Sequence, residues 1–234
     1  GTTKCAWDGV STAGGSSGGA AASLALQMQP VADGSDLMGS LRNPAAFNNV
    51  IGFRPTPGRV PIHDLFIEDL PCNGPMGRTV SDTAMLLSTQ AGYHAAAPTT
   101  IPEDPALFAQ PLARDFKGTK IGWLGNFDGY LPMDKGVLDL CETALKHFTD
   151  VGFLIENAQL DYSMEALWQT WLTFRHWIVA GLHKHEYMNP QIRRQLKPEC
   201  QWEVEGGLNL SGESVFNASV ARAKFYAAVV RAFK

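Results

Sequence analysis

The sequence predicts an α/β fold in which strands and helices alternate through crossover connections. Three observations carry that expectation. Short apolar runs of strand length occur at residues 50–53, 120–124 and 153–155. A helical pattern over residues 134–151 separates the last two runs. Long amphipathic patterns cover residues 163–182 and 211–233.

The elements follow in order. Gly14-Gly15-Ser16-Ser17-Gly18-Gly19 is a glycine loop, and the strong helix formers Ala20 to Met28 follow it. Pro30-Val31-Ala32 reads as a short strand that enters an Asp33-Gly34 turn. Val50 to Phe53 is a second strand, after which Pro55, Pro57, Gly58 and Pro61 punctuate the chain into turns. Residues 80–91 have helical spacing and stop at Gly92. Residues 95–111 turn to Ala, Pro and Thr without periodicity and read as a loop or linker. Residues 120–124 form a strand. Residues 134–151 form a helix capped by Asp134 and stopped by Gly152, and residues 153–155 form another strand. Within the last helix Arg222 interrupts one edge of the apolar stripe. There is no internal repeat and no low-complexity tract.

Composition bounds the class. The chain has 234 residues, 45% hydrophobic and 18% charged, as a folded globular protein does. A net charge of −4 without a long basic run argues against nucleic acid as the main partner. No apolar run reaches bilayer length, so no membrane partner is expected. Cys5, Cys72, Cys141 and Cys200 are widely spaced and form no Cys-x-x-Cys pair. They read as reduced thiols of a cytoplasmic protein.

The chemistry concentrates in two glycine-rich turns. The first holds Ser16. The second is Gly34-Ser35-Asp36-Leu37-Met38-Gly39-Ser40-Leu41-Arg42-Asn43-Pro44, which holds Ser40. Glycine lets a ligand approach the main chain, and a loop opening a helix presents N–H groups to negative charge. Two serines in such loops suggest an acyl oxyanion and a serine nucleophile. Serines also occur in turns for local hydrogen-bonding reasons, and that plain reading stands beside the chemical one. A phosphate loop fails, because no Gly-Lys-Ser/Thr follows.

These residues resemble the amidase signature family of serine amidohydrolases. The likeness rests on the two loops, on Gly52-Phe53-Arg54-Pro55-Thr56-Pro57-Gly58-Arg59-Val60-Pro61, and on Gly74-Pro75-Met76-Gly77-Arg78-Thr79-Val80-Ser81-Asp82. The four blocks stand in the family's order and spacing. The match is strong from Gly1 to about Gly92 and looser to Lys234. The resemblance implies one amidase-type domain over residues 1–234, with a signature core at 1–92 and a variable substrate-access half at 93–234. It implies a mixed twisted sheet covered by helices on both faces, incomplete at both ends.

By the same resemblance Ser40 is the acylated nucleophile and Ser16 the bridging serine, with a cis Gly15–Ser16 bond. The N–H groups at Leu37, Met38 and Gly39, with that of Ser40, form the oxyanion hole. Gly15, Ser17, Asp36 and Arg42 support the site. The family's third catalytic group is a lysine far upstream of the first loop, which has no counterpart in these residues. Lys4 falls in a different part of the pattern. Met38 stands where the family usually has glycine, which restricts the turn and adds bulk beside the acyl carbonyl.

The implied activity is hydrolysis of a small carboxamide at its C–N bond through an acyl-enzyme, without cofactor or metal. Two alternatives stand beside it: a non-catalytic acyl- or amide-binding module, and one component of an amidotransferase. The stretch Ile67-Glu68-Asp69-Leu70-Pro71 differs from what that last subgroup carries. The ends read as cut, with Gly1 inside a family segment and Lys234 inside a helical pattern. The chain alone is then expected to turn over little amide and to pair with itself or with missing segments.

Other residues have competing readings. Asp36 and Arg42 either brace the nucleophile loop or form a structural ion pair. Arg78 reads as an anchor between its loop and the sheet. His183-Lys184-His185-Glu186 hints at metal ligands but lacks a third ligand at a recognisable spacing. Trp168, Trp171, Phe174 and Trp177 have helical spacing and read as core, with a lining role held in reserve.

Overall fold

A computed structural model describes residues 2–62 and 70–234. The chain divides into two compact units, Gly1–Ala113 and Arg114–Lys234. The α/β class is borne out. The mixture takes the form of an antiparallel sheet in the first unit and a parallel pair in the second.

In the first unit, α1 (Gly18–Ala25) follows the first glycine loop. Its Ala-rich sequence favours helix, and Arg78 closes its far end by donating to the carbonyls of Leu24 (3.1 Å) and Gln29 (2.7 Å). Arg78 is thus an anchor, tied to a helix end. Strand β1 runs Val31–Asp36, longer than the sequence suggests. Asp33-Gly34 is not a turn. Gly34 lies in mid-strand opposite Gly74, and a Cβ on it would sit 2.7 Å from Leu41. Its glycine meets a packing need that a turn signal imitates.

Helix α2 (Arg42–Asn48) and the short strand β2 (Ile51–Gly52) follow. Strand β3 (Cys72–Gly77) is central, in the order β1-β3-β2. Its Asn-Gly-Pro-Met-Gly text reads as turn chemistry, and proline is unusual in a central strand. Pro75 is accommodated because its carbonyl still accepts the Phe53 N–H at 3.0 Å. Ala21, Leu24, Leu41, Ala45 and Met76 form the core beneath the sheet.

Helix α3 (Val80–Gln90) starts at Thr79, whose hydroxyl oxygen accepts the Asp82 N–H at 3.1 Å. The stretch read as a loop contains a 3₁₀ turn, Pro105–Ala109, packed on α3. Arg59 holds that stretch through Glu103 (2.8 Å) and the Phe108 ring.

In the second unit, strands β4 (Lys120–Trp123) and β5 (Leu154–Asn157) are parallel, joined by helix α4 (Val137–Asp150). This is the expected crossover. Asp134 is not its cap: Gly136, at φ +86°, turns the chain in just before Val137, and only the Asp134 carbonyl takes part, accepting the Val137 N–H. Helix α5 (Met164–Met188) begins at the Ser163 cap and runs past Leu182, because the next breaker is Asn189-Pro190. Helices α6 (Pro190–Arg193) and α7 (Pro198–Leu208) are not evident in the sequence, since the first is a single turn and the second carries Gly206-Gly207. Helix α8 (Gly212–Ala232) opens on a capping box at Ser211 and Ser214.

Helix α7 lies close against α5. Gly206 and Gly207 permit the approach, because a Cβ at Gly207 would overlap the His176 carbonyl and the Ala180 methyl. Val179, Ala180 and Val204 fill the contact. Arg175 and Glu203 clamp it with two hydrogen bonds, of 2.6 and 2.9 Å. Phe174 is core, as its spacing suggests, and Arg222 lies over its ring at 4.6 Å. The apparent break in the α8 stripe is therefore a cation–π contact. Trp168 and Trp171 stack at 4.7 Å, with Trp168 exposed. No helix among the described residues is long and apolar enough to cross a membrane.

The tightness of this helix pair can be measured. Gly207→Ala should destabilise the protein by about 1–3 kcal/mol through overpacking, read from urea unfolding. The pair should also respond to pH. His176 meets the edge of Trp202, and its Nε2 is buried without a partner among the described residues. Burial lowers its pKa; Glu203 opposes the shift and Arg175 adds to it. A His with a depressed folded pKa favours folding above its unfolded value of about 6.5, and that contribution is lost as pH falls below it. Thermal melts of wild type should fall more between pH 7.5 and pH 5 than those of His176→Gln. Equal pH slopes would count against this assignment.

Candidate active site

The candidate site forms around one carboxylate. Asp36 ends β1, and its side chain is fully buried. Its Oδ1 accepts the Gly39 N–H at 2.7 Å, and its Oδ2 accepts the Leu41 N–H at 3.2 Å. Arg42 grips both oxygens at 3.0 Å, through Nε and Nη2. Arg54 donates to Oδ1 at 3.1 Å, to the Asp36 carbonyl, and to the Leu70 carbonyl at 2.6 Å. Burial pushes the Asp36 carboxyl upward. The hydrogen bonds from Arg42, Gly39 and Leu41 outweigh it and hold the group far below the usual carboxylate range. Asp36 and Arg42 form an ion pair and brace the loop at once. Arg54 is the partner that sequence reading missed, although its Arg-Pro block was in view.

The bracing shapes the turn that carries Ser40. Gly39 takes φ +108°, and a Cβ there would lie 2.8 Å from the Asn43 side chain. Only glycine suits it. Met38 needs no positive φ, so a side chain at 38 is compatible with this turn. The Gly39 N–H is engaged by Asp36, which takes it from the expected oxyanion set. The N–H groups of Leu37, Met38 and Ser40 have no acceptor among the described residues.

The second loop is docked on the first. The Ser17 N–H donates to the Ser40 carbonyl at 3.2 Å, so the residue after Ser16 is tied to Ser40 itself. Ser17 also precedes α1, without capping it by side chain. The Gly15–Ser16 bond is cis, as the resemblance implies. Ser16 is exposed and Ser40 half-buried, and neither hydroxyl has a hydrogen-bond partner among the described residues. Lys4 is exposed and forms a β-bridge with Thr12. The arrangement offers two serine hydroxyls on tethered loops beside unpaired main-chain donors, which suits acyl transfer.

The other candidates lie elsewhere in the sequence and in other surroundings. His183 and His185 are exposed on α5, and two residues apart they do not share a helix face. No three side chains able to hold a metal converge among the described residues. Ile67, Glu68 and Asp69 lie outside the described residues.

Comparison with known proteins adds an independent line. A family model described as Amidase matches residues 1–233. The chain is 38% identical over 168 residues to the A subunit of the glutamyl-tRNA(Gln) amidotransferase of Lacticaseibacillus casei, covering 71% of this chain and 34% of that protein. Its counterpart in Nitrosococcus oceani is 37% identical over 163 residues, covering 68% and 33%. A bacterial aryl acylamidase of the amidase signature family superposes with a TM-score of 0.88 at 26% identity, over 100% of this chain and 49% of its own. A 6-aminohexanoate cyclic dimer hydrolase gives 0.80 at 22%, over 97% and 49%, a likeness of fold. The chain thus spans about a third of those curated relatives and about half of those solved structures.

Asp36→Asn should destabilise the protein by about 3 kcal/mol, because it leaves the Arg54 guanidinium without its counter-charge. Arg42 is half exposed and finds water instead. The Asp36 contribution is complete above the unfolded carboxyl value of about 3.9 and is lost as pH falls below it. Urea midpoints of wild type and Asp36→Asn should therefore converge in acid. A constant gap down to pH 2 would contradict that role.

Proposed function

We propose, from the premise that the chain belongs to the amidase family, that it carries the nucleophile and the proton relay of a serine amidohydrolase. The substrate is a small carboxamide and the bond cleaved is C–N. A serine hydroxyl is a weak nucleophile until a neighbour takes its proton. Ser16 takes the Ser40 proton and passes its own hydroxyl proton on to the base as Ser40 Oγ attacks the carbonyl carbon. Negative charge gathers on the former carbonyl oxygen, where the N–H groups of Leu37, Met38 and Ser40 stabilise it. Ser16 then returns a proton to the nitrogen, the C–N bond breaks, and ammonia or an amine leaves. Water adds to the acyl-enzyme and releases the acid, restoring Ser40. The resemblance assigns the final base to a lysine upstream of the first loop. Lys4 does not take that part here.

The observation that carries this reading is the Ser17 N–H to Ser40 carbonyl bond, which joins the two serine loops at the residues concerned. Gly15 supplies the adaptable backbone before Ser16, and Asp36 with Arg42 fixes the loop after β1. The aryl acylamidase relative makes an aryl amide the first substrate to test. Four unpaired cysteines accord with a reducing cytoplasm. A second reading, an amidotransferase component that hands nitrogen to a partner, is favoured by the names of the curated relatives. Co-purifying subunits, and ammonia release that depends on them, would favour it over a free-standing hydrolase.

The test is a fluorophosphonate probe with an aryl-amide assay on the purified protein. Ser40→Ala should abolish both labelling and turnover while leaving the circular dichroism spectrum unchanged. Ser16→Ala should slow acylation by about 100-fold or more, as the loss of a proton relay does. Near wild-type turnover by Ser40→Ala removes Ser40 as nucleophile. A folded wild-type protein that never labels favours a non-catalytic amide-binding module.

A further inference from the structure

We infer that Asn48 is a positioning residue whose carboxamide sets the spacing between the Ser16 loop and the Ser40 loop. Its importance for catalysis depends on the proposed roles of those two serines. Asn48 closes α2, the helix that begins two residues after Ser40, and its side chain is completely buried. Its Nδ2 donates to the Ala13 carbonyl at 2.9 Å and to the Pro44 carbonyl at 3.0 Å. Its Oδ1 accepts the Ala6 N–H at 3.1 Å.

Each partner sits where it matters. Ala13 is itself fully buried and directly precedes Gly14-Gly15-Ser16. Pro44 lies in the first turn of α2, just after Ser40. One carboxamide therefore grips the entry to the first loop and the exit of the second. Between them Gly14 takes φ +76°, and a Cβ on it would lie 3.0 Å from the Pro44 Cα. The loop rests directly on the helix at that point. On the far side of Ser16, the Ser17 N–H bonds to the Ser40 carbonyl. Ser16 is thus bracketed: Asn48 fixes the chain before it and Ser17 fixes the chain after it. The Ala6 segment is held to the same helix end, with Trp7 Nε1 donating to the Asn48 carbonyl at 2.8 Å and Cys5 Sγ to the Phe47 carbonyl at 3.3 Å.

The chemistry demands this residue type. The site needs two donors and one acceptor on a short branch in a dry place. Asp keeps the shape but turns both donors into acceptors facing two carbonyls. Ser supplies a single donor. A buried carbonyl that loses its partner pulls away to find another, and the loop moves with it.

The test uses the expressed protein and reads three quantities: the rate of Ser40 labelling by a fluorophosphonate, kcat and KM on an aryl amide, and Tm. In folded Asn48→Asp, labelling and kcat should fall on the order of 100-fold, as for a displacement of about 1 Å between reacting groups. KM should barely change. Asn48→Ser should recover part of the rate. A merely structural role would lower Tm but leave the labelling rate of folded protein at the wild-type value, and that result overturns the inference. Failure of both variants to fold overturns it too, because it assigns Asn48 to the stability of the unit. Wild-type protein that does not label at Ser40 refutes the functional reading first and takes this inference with it.

Discussion

The first unit depends on the charge of one buried group. Asp36 sits buried at the end of β1, yet it stays ionised because two guanidinium groups and three main-chain N–H groups, those of Gly39, Leu41 and Arg42, converge on it. An isolated carboxylate in that place would be expensive, and a paired one specifies geometry. The donors come from three parts of the chain: the turn before Ser40, the start of α2, and the proline-rich block after β2. The carboxylate orders all three by satisfying them.

Close backbone approach is the second constraint. Gly34, Gly52 and Gly74 lie where Leu41 and its neighbours leave no room for a Cβ, while Gly39 and Gly14 supply left-handed turns. One residue type therefore serves two needs in one unit. Packing glycines let the sheet and α2 meet. Conformational glycines let the serine loops turn back toward each other. The tether from Ser17 to Ser40 is possible only after both have acted.

The second unit is organised differently. Its parallel strand pair with a crossover helix is one layer, and the packing of α5 against α7 and α8 is another. Glycine again permits the close contact, and Arg175 with Glu203 clamps it. Here the paired charges are partly exposed, so their part is to fix the orientation of the helices more than to stabilise them.

Much of this was legible in the sequence, and the reason is locality. The crossover pattern, the helices over residues 80–91, 163–182 and 211–233, and the two serine loops are written in neighbouring residues. Their chemistry is short-range. Strand β3 was not legible, because Asn-Gly-Pro-Met-Gly carries turn signals and becomes a strand only between β1 and β2. The extension of β1 through Gly34 has the same cause. Helix α7 was hidden by Gly206-Gly207, whose value appears only against His176 and Ala180. At α4 the capping signal of Asp134 misleads, because Gly136 turns the chain after it and the helix starts later. The sequence by itself determined which two glycine-rich loops carry Ser16 and Ser40, because glycine loops and their order are local text. Only the tertiary structure decided that Arg54 completes the Asp36 cluster, that Gly39 gives its N–H to that cluster, and that Asn48 grips Ala13 and Pro44. Those are contacts between distant parts of the chain, and burial, not sequence spacing, selects them.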